Sequence, residues 1–426
     1  MNDTVENAAD AAPSVPWASL RYRDFSLLFF GSFFIMIAQQ MRQTQNLYQV
    51  YELSGSAFLL GMTGLAQAVP LFVVGLFGGS LADLMDRRTL SCLTMLGNFL
   101  VALSLGVLTL IGAIQVWHIL VATALTSGLN IVLYPARMAM ISGLVPRSHL
   151  TNAAALNSSV AQGAHFIGPM FAGVALAAAS AGNAYLLNAL AYIPAAASFL
   201  MIKSSTESDR VKAAVTLRGL LDGVRFLWLQ RIVFALVMMD FIIMSVGYYR
   251  PLLPVFAKDI FHVGPAAFGM LASAPAIGGT LGTITVLLMG DVRRKGMLAL
   301  WAFLIFSLCL GAFAVTPRFW VAVALVAGLG LTNALQAVMR QTSFHLLTPD
   351  HLRGRAFSVF NMFSQGANAV GAMIVGFLAS LVGAPGALLA GSGLGVVLTL
   401  LMWTMRPEVK KFEAASEIGV DRVNAA

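Results

Sequence analysis

Long apolar runs alternate with short polar segments along the whole chain. Each run reaches the ~20 residues that a helix needs to cross a bilayer. Polar and apolar residues do not alternate at period two within the runs, so transmembrane β-strands explain the pattern poorly. The pattern predicts an all-α membrane protein with twelve transmembrane helices, near residues 25–51, 57–82, 89–113, 116–144, 150–179, 182–203, 232–258, 265–289, 295–315, 319–346, 352–382 and 385–405.

The longest polar interruption separates the sixth span from the seventh. Within it, apolar residues from Leu217 to Trp228 recur at helical spacing opposite Arg218, Asp222 and Arg225. This spacing predicts an amphipathic helix that lies at the membrane surface. The predicted organisation is an N-terminal tail (1–24), a six-helix bundle (25–203), a linker (204–231), a second six-helix bundle (232–406) and a C-terminal tail (407–426).

Composition and charge support a membrane location. Hydrophobic residues make up 58% of the 426 residues and charged residues only 10%, whereas soluble domains carry roughly 25% charged residues. Twenty of the 26 lysines and arginines fall in the segments on the side of both termini, and only Lys258 and Arg318 fall in the opposite loops. Positive loops stay in the cytoplasm, so both termini are predicted to be cytoplasmic. The net charge of +8 then reflects topology and contact with anionic membrane lipids, and requires no nucleic-acid partner.

The two halves of the chain carry an internal repeat. A shift of 203 positions superposes Arg137 on Arg340, and a shift of 208 positions superposes Arg42 on Arg250. The first shift also matches Asn130 with Asn333, Gly168 with Gly371 and Gly173 with Gly376. Two pseudo-symmetric six-helix bundles, with substrate near their interface, are typical of alternating-access transporters.

Two motifs resemble a known family. The segment GGSLADLMDRR at 78–88 resembles the loop signature of the major facilitator superfamily. The segment that begins YPARMAMISGL at Tyr134, together with GPMFAG at 168–173, is similar to the subgroup that includes the bacterial enterobactin exporter. Asp86 stands where the family pattern commonly has glycine, and the second-half counterpart at 289–296 is degenerate. The resemblance implies the major facilitator fold, with a multi-pass location in the bacterial inner (plasma) membrane.

The resemblance also implies that the loop after the second span closes the cytoplasmic side of the transporter. Small residues allow the helices there to approach closely. An alternative is that Arg87 and Arg88 only set the orientation of the chain. Carried over to this sequence, the gating residues are Gly79, Asp83, Asp86, Arg87 and Arg88.

Two further arginines are expected near the same gate. Arg137 lies nine residues before Pro146, or ~13 Å along a helix, and Arg340 repeats that placement. An unpaired guanidinium in lipid is costly. We therefore predict that both pair with acids such as Asp83 and Asp291, in a gating or structural role.

A polar stripe on the first span is the candidate substrate site. Its members fall within about 120° of helix face and are Gln39, Arg42, Gln43, Asn46 and Gln49. The seventh span is expected to add Tyr249 and Arg250. Two arginines that face one pathway would clamp an anion, because each offers a rigid fork of donors. The alternative is that these arginines are tied to backbone carbonyls or to an acid in a dry contact between helices.

Asp240 is the carboxylate placed well inside a span, and it is the candidate for proton coupling. Its pKa would rise on desolvation or stay low beside an arginine, and cycling between these environments would couple a proton to transport. A fixed ion pair is the alternative. In the fifth span, GAHFIGPMFAG resembles the Gly-Pro motif of the superfamily's proton-coupled exporters and favours export. Its key residues are Gly163, Gly168, Pro169 and Gly173.

Other classes of protein lack support in the sequence. No HExxH-like spacing or Walker sequence is present, and Cys92 and Cys309 form no metal-ligand pattern, so we predict no enzyme activity, metal or cofactor. The sequence favours a monomeric secondary transporter that exports a small organic solute, anionic or siderophore-like, against inward proton flow. An organic-anion exchanger or facilitator without proton coupling is the alternative.

Overall fold

The structure of the protein is a computed structural model. It describes residues 17–84, 86–203, 238, 241–242, 244–290, 295–348 and 350–405. Several predicted features lie outside the described residues. They are the remaining parts of both predicted tails, the linker with its predicted amphipathic helix, Asp240 and Asp291. Within the described residues every regular element is helical, and there are no strands.

The first half is built from the apolar runs. After a short 3₁₀ turn at Ala18–Arg21, the helices are α1 (Arg23–Ser54), α2 (Ala57–Leu84), α3 (Arg87–Leu110), α4 (Val116–Leu144), α5 (Leu150–Ala178), α6 (Ala181–Leu190) and α7 (Tyr192–Leu200). The predicted sixth span is divided at Ala191. Pro194 explains the break, because it has no N–H to donate to the carbonyl of Leu190, four residues earlier.

The second half continues in the same way after an irregular start. Arg250–Leu252 form a 3₁₀ turn, Leu253–Val255 a helical turn and Phe256–Ile260 a π-turn. Pro251 and Pro254 interrupt the regular hydrogen-bond ladder there. The long helices that follow are α8 (Pro265–Met289), α9 (Lys295–Val315), α10 (Phe319–Leu347) and α11 (Asp350–Met405).

The last two predicted spans form one continuous helical stretch, α11, with a break inside it. Gly383 has φ 77° and ψ 161°, which is not a helical conformation. A residue with a side chain rarely adopts this positive φ, so glycine permits the kink inside α11. Pro385 follows two residues later and begins the second segment.

Large apolar side chains cover much of the outside of the helices. Leu288 is 83% exposed, Trp320 70% and Phe171 61%. Exposure of this kind suits a surface in contact with lipid tails, where an apolar side chain costs nothing. By length and composition, eight helices among the described residues can each cross a membrane. The chain is therefore a multi-pass membrane protein.

The described residues cluster into two units. The first comprises those within Met1–Asn46 and Val69–Ala214, and the second those within Leu47–Ala68 and Val215–Ala426. Helices α1 and α2 therefore each contribute to both units. In the second unit, α8 and α10 are in direct backbone contact: a Cβ added at Gly278 would lie 1.7 Å from the carbonyl oxygen of Ala327, and one at Gly330 would lie 2.0 Å from that of Pro275.

Candidate functional site

The polar stripe of α1 is largely buried, with Gln39, Arg42, Gln43 and Asn46 in the first unit and Gln49 in the second. Arg42, Asn46 and Gln49 are buried, whereas Gln39 and Gln43 are half-buried. Polar groups inside an apolar helix bundle are stabilised when they find partners on neighbouring helices. The stripe therefore has an enclosed side and a more accessible edge, and the accessible edge is formed by Gln39 and Gln43.

Arg42 is the charged centre of the stripe. Its side chain is 5% exposed, and Nη1 donates to Oδ1 of Asn98 on α3 at 3.2 Å. Asn98 is fully buried, and its own Nδ2 donates to the carbonyl of Thr94 at 2.8 Å. The second hydrogen bond fixes the amide orientation, so that an oxygen and not an NH₂ group faces the guanidinium. Of the N–H donors of Arg42, the described residues satisfy only this one.

No carboxylate of the described residues forms an ion pair with Arg42. The ion pair found among these residues joins Arg23 to Asp24 at 3.8 Å. Asp24 and Glu52 lie on α1 itself, about 27 Å and about 15 Å along the axis from Arg42 at 1.5 Å per residue. The buried charge is therefore surrounded by neutral polar groups.

Asn46 has both ends of its amide occupied. Its Nδ2 donates to Oγ1 of Thr123 on α4 at 3.0 Å, and its Oδ1 accepts from the hydroxyl of Tyr185 on α6 at 2.9 Å. Tyr185 is fully buried, and Thr123 also donates to the carbonyl of Ile119. Asn46 thus joins three helices.

Helices α1 and α6 exchange a second set of hydrogen bonds. Gln45 Nε2 donates to the carbonyl of Ala184 at 3.0 Å, and Asn188 Nδ2 donates to the carbonyl of Ala38 at 2.6 Å. Ala38 and Gln45 lie seven residues apart on α1, and Ala184 and Asn188 four apart on α6, so each pair shares a face. The carbonyl oxygens of both amides, Gln45 Oε1 and Asn188 Oδ1, have no partner among the described residues.

The half-buried edge of the stripe is also tied to a neighbour. Gln39 Nε2 donates to Oδ1 of Asn130 on α4 at 2.8 Å. On α5, Gly168 lies so close to α1 that an added Cβ would be 2.5 Å from Gln40 Cβ and 3.1 Å from the carbonyl oxygen of Ile37. At Gly163, by contrast, an added Cβ would meet nothing within 4 Å. Within the helix-five motif, Gly168 therefore sets the close approach, while Pro169 and Gly173 are buried beside it.

The gating candidates after α2 contact their own unit. Asp86 caps α3, since its Oδ2 accepts from the backbone N–H of Thr89 at 3.0 Å. Arg87 donates to the carbonyl of Ala139 at 3.4 Å, and Arg88 donates to the carbonyl of Leu200. These contacts are structural hydrogen bonds to α4 and α7. Gly79 and Asp83 lie in α2, in a segment whose side chains are not among those described.

Arg137 and Arg340 occupy corresponding aromatic surroundings. The guanidinium carbon of Arg137 lies 5.8 Å from the ring centroid of Tyr134, and that of Arg340 lies 5.3 Å from the ring centroid of Phe360. Arg137 is 3% exposed and its Nε has no partner among the described residues. Cation–π contact is favourable in such surroundings. The predicted pairing of these arginines with Asp83 and Asp291 remains a prediction.

The second unit contains the counterpart arginine. Arg250 begins the 3₁₀ turn and is half-buried, and Tyr249, which precedes it in the chain, is 6% exposed. Its ring makes an edge contact with Phe313 at a centroid distance of 6.4 Å. The clamp formed with Arg42 remains a prediction.

The parts of α1 and α2 that belong to the second unit pack closely against it. The hydroxyl of Tyr51 donates to Oδ2 of Asp259 in the π-turn, and the ring of Tyr48 lies 5.5 Å from that of Phe268. An added Cβ at Gly61 would lie 3.0 Å from Cα of Gly376. These contacts join the ends of α1 and α2 to the π-turn, α8 and α11.

Sequence reasoning identified the α1 stripe but missed its partners. Asn98, Asn130, Thr123, Tyr185 and Asn188 are isolated polar residues within apolar runs. That isolation is a usable signal, because a polar side chain in a membrane helix usually faces another helix. Gln45 was missed for a different reason: its partners lie on α6, to one side of the arc that the predicted stripe covers.

The arrangement of helices defines a class of membrane protein. Known structures with the same fold include a peptide transporter POT, with a TM-score of 0.73 and 13% identity over 91% of this chain and 95% of that chain. A second is a bacterial homologue of the human lysosomal transporter Spinster, with a TM-score of 0.70 and 14% identity over 91% of this chain and 98% of that chain. The chain has the same fold as these two transporters.

Sequence comparison defines the family. The family described as transmembrane secretion effector, of the major facilitator superfamily, matches residues 14–426. The chain belongs to this family, whose members are transporters and not enzymes.

Several curated relatives span almost the same length. The multidrug efflux pump Tap of Mycolicibacterium fortuitum is 25% identical over 86% of this chain and 92% of that protein. The staphyloferrin A transporter of Staphylococcus aureus is 25% identical over 83% and 89%. The enterobactin exporter EntS of Shigella boydii is 24% identical over 91% and 93%.

Proposed function

We propose that this protein is a proton-coupled exporter of a small organic anion or siderophore-like solute, which works by alternating access of two six-helix bundles. The fold and the family support transport of small molecules. The names of the relatives, an efflux pump and siderophore transporters, favour export. The proposal places a monomer in the bacterial inner membrane, with twelve spanning helices and both termini in the cytoplasm.

The observation that carries the substrate class is the surroundings of Arg42. Among the described residues, the buried guanidinium of Arg42 has a neutral amide as its only hydrogen-bond partner. Such a charge is costly in a membrane interior. An anionic group on the substrate would lower that cost by supplying the missing acceptor. The half-buried amides of Gln39 and Gln43 lie beside Arg42 on α1, where they would bind the hydroxyl or amide groups of the same solute.

The proposal for proton coupling rests on the sequence. The described side chains with a carboxylate are Asp24, Glu52, Asp86 and Asp259, and each lies at or near a helix end. A carboxylate within a span that exchanges a proton would therefore be Asp240, in the seventh span. Because the described carboxylates all lie at or near helix ends, an exchanger without proton coupling is the second candidate function.

Proteoliposomes separate the two functions. With an inside-acidic pH gradient, we expect an anionic solute added outside to trigger proton efflux, whereas neutral and cationic solutes of similar size should not. Asp240→Asn should abolish this proton flux while leaving solute exchange in place. Movement of labelled solute without any proton signal in the unchanged protein would rule out proton coupling and favour the exchanger.

A further inference from the structure

A second side-chain donor of the first unit, a tyrosine hydroxyl, is buried without an acceptor among the described residues. Tyr192, the first residue of α7, is 1% exposed, and its hydroxyl has no hydrogen-bond partner among the described residues. A buried hydroxyl without a partner is unusual and costs free energy. This residue was not among the sequence candidates.

Tyr192 and Arg42 face the same part of the first unit. Tyr192 packs in the core cluster that contains Ala38 and Met95. Ala38 lies one helical turn before Arg42, and Met95 lies one turn before Asn98, which holds the guanidinium. Side chains on a helix lean towards its N-terminus, so Arg42 leans towards Ala38 and the level of Tyr192. Asn188, one turn before Tyr192, donates to the carbonyl of Ala38 at 2.6 Å, so Tyr192 lies beside the turn of α1 towards which Arg42 leans.

The neighbouring tyrosine provides an internal comparison. Tyr185 is also fully buried, but its hydroxyl already donates to Asn46, one turn after Arg42 on α1. The two phenols thus differ in one respect: only the Tyr192 hydroxyl has its hydrogen available for a further acceptor.

We propose that Arg42 and Tyr192 together bind a small inorganic anion of the size of chloride. A guanidinium and a phenol O–H both donate, so the ligand must accept from both, and a negative charge would balance that of Arg42. Because Arg42 is 5% exposed and Tyr192 1% exposed, the space between these two residues suits an anion as small as a single atom.

The proposed halide site rests on the burial of these two residues and on the Tyr192 hydroxyl without a partner among the described residues, whereas its role rests on the proposed function. If Arg42 binds an anionic substrate, chloride would balance the positive charge of Arg42 between transport cycles. The substrate would then displace the chloride. Chloride would then act as a competitor for Arg42. Solutes without a negative charge would not displace it.

Thermal unfolding of the purified full-length protein measures the binding. At constant ionic strength, replacing gluconate by chloride should raise the unfolding temperature with a saturable dependence on concentration, and bromide should act similarly. Tyr192→Phe should raise the chloride concentration at half-effect about tenfold or more, as expected for loss of a hydrogen bond to a charged group. Tyr185→Phe is the matched control and should leave that concentration unchanged, whatever its effect on stability.

Bromide diffraction keeps the test independent of the variants. Crystals of the unchanged protein soaked in bromide should show an anomalous peak between the Arg42 guanidinium and the Tyr192 hydroxyl. A chloride-independent unfolding temperature together with no bromide peak there would overturn the proposal, as would equal effects of the two tyrosine variants. If transport still selects anionic solutes in that case, the halide site alone fails and the proposed function stands.

Discussion

Replacement of Asn46 tests whether this residue binds substrate or holds the first unit together. Asn46→Ala removes the acceptor for the Tyr185 hydroxyl and the donor to Thr123. Thr123 keeps its hydrogen bond to the carbonyl of Ile119 at 2.7 Å, so the main loss falls on Tyr185. A buried donor left without a partner costs about 1–3 kcal/mol. We expect Asn46→Ala to lower the free energy of unfolding by that amount.

A double-mutant cycle separates the hydrogen bond from other effects. Tyr185→Phe removes the donor and leaves the Asn46 oxygen unpaired, so its cost should be similar to that of Asn46→Ala. In the double variant neither group is left without its partner, and the two losses should not add. Hydrogen bonds between membrane helices have coupling energies averaging about 0.6 kcal/mol and reaching about 1.7 kcal/mol. The full burial of Tyr185 and the 2.9 Å distance favour a value in the upper part of that range.

The assay is reversible unfolding in mixed micelles, with transport measured on the same variants in proteoliposomes. The structural role predicts lower stability with little change in the apparent affinity for solute. Unchanged stability, additive losses in the cycle and a large loss of affinity in Asn46→Ala would refute this reasoning. Asn46 would then be a substrate ligand, as the sequence pattern alone suggested.

Two other substitutions test the packing and the gating loop. A Cβ at Gly278 would lie 1.7 Å from the carbonyl oxygen of Ala327, so Gly278→Ala should cost more than the usual ~1–3 kcal/mol of overpacking. The monodisperse fraction in size-exclusion chromatography should fall accordingly. Gly143→Ala is the control and should leave that fraction unchanged, because the added Cβ meets nothing within 4 Å. Asp86→Ala should cost about 1 kcal/mol by removing the cap on α3, whereas Asp86→Asn should keep the cap and the unfolding free energy. If Asp86→Asn abolishes transport at normal stability, the carboxylate has a gating role beyond the cap.

Helix bounds were predictable because lipid imposes them. The predicted spans 116–144 and 265–289 coincide with α4 and α8, since an apolar run must end where the chain meets water. The break at Ala191 was less evident. The break depends on the missing N–H of Pro194. A single proline in an apolar run does not by itself predict a break, because membrane helices tolerate proline.

The partners of the site were not predictable in the same way. Helical periodicity places Arg42 and Asn46 on one face, but it does not say which helix meets that face. Asn98 and Tyr185 lie 56 and 139 residues from their partners, and their pairing depends on how the helices pack in three dimensions. Asp86 departed from the family pattern in the sequence, and its capping of α3 gives that departure a physical reason.

Charge selectivity in an Arg42→Gln variant tests the central claim most directly. Uptake of an anionic solute and of a matched neutral solute would be compared in three sets of proteoliposomes. These contain the unchanged protein, Arg42→Gln, or Gln43→Ala as a control from the same polar stripe. The account predicts that Arg42→Gln weakens the apparent affinity for the anionic solute far more than for the neutral one, and that Gln43→Ala does not change the ratio between them. Equal losses for both solutes in Arg42→Gln would contradict the account and leave Arg42 as a structural residue.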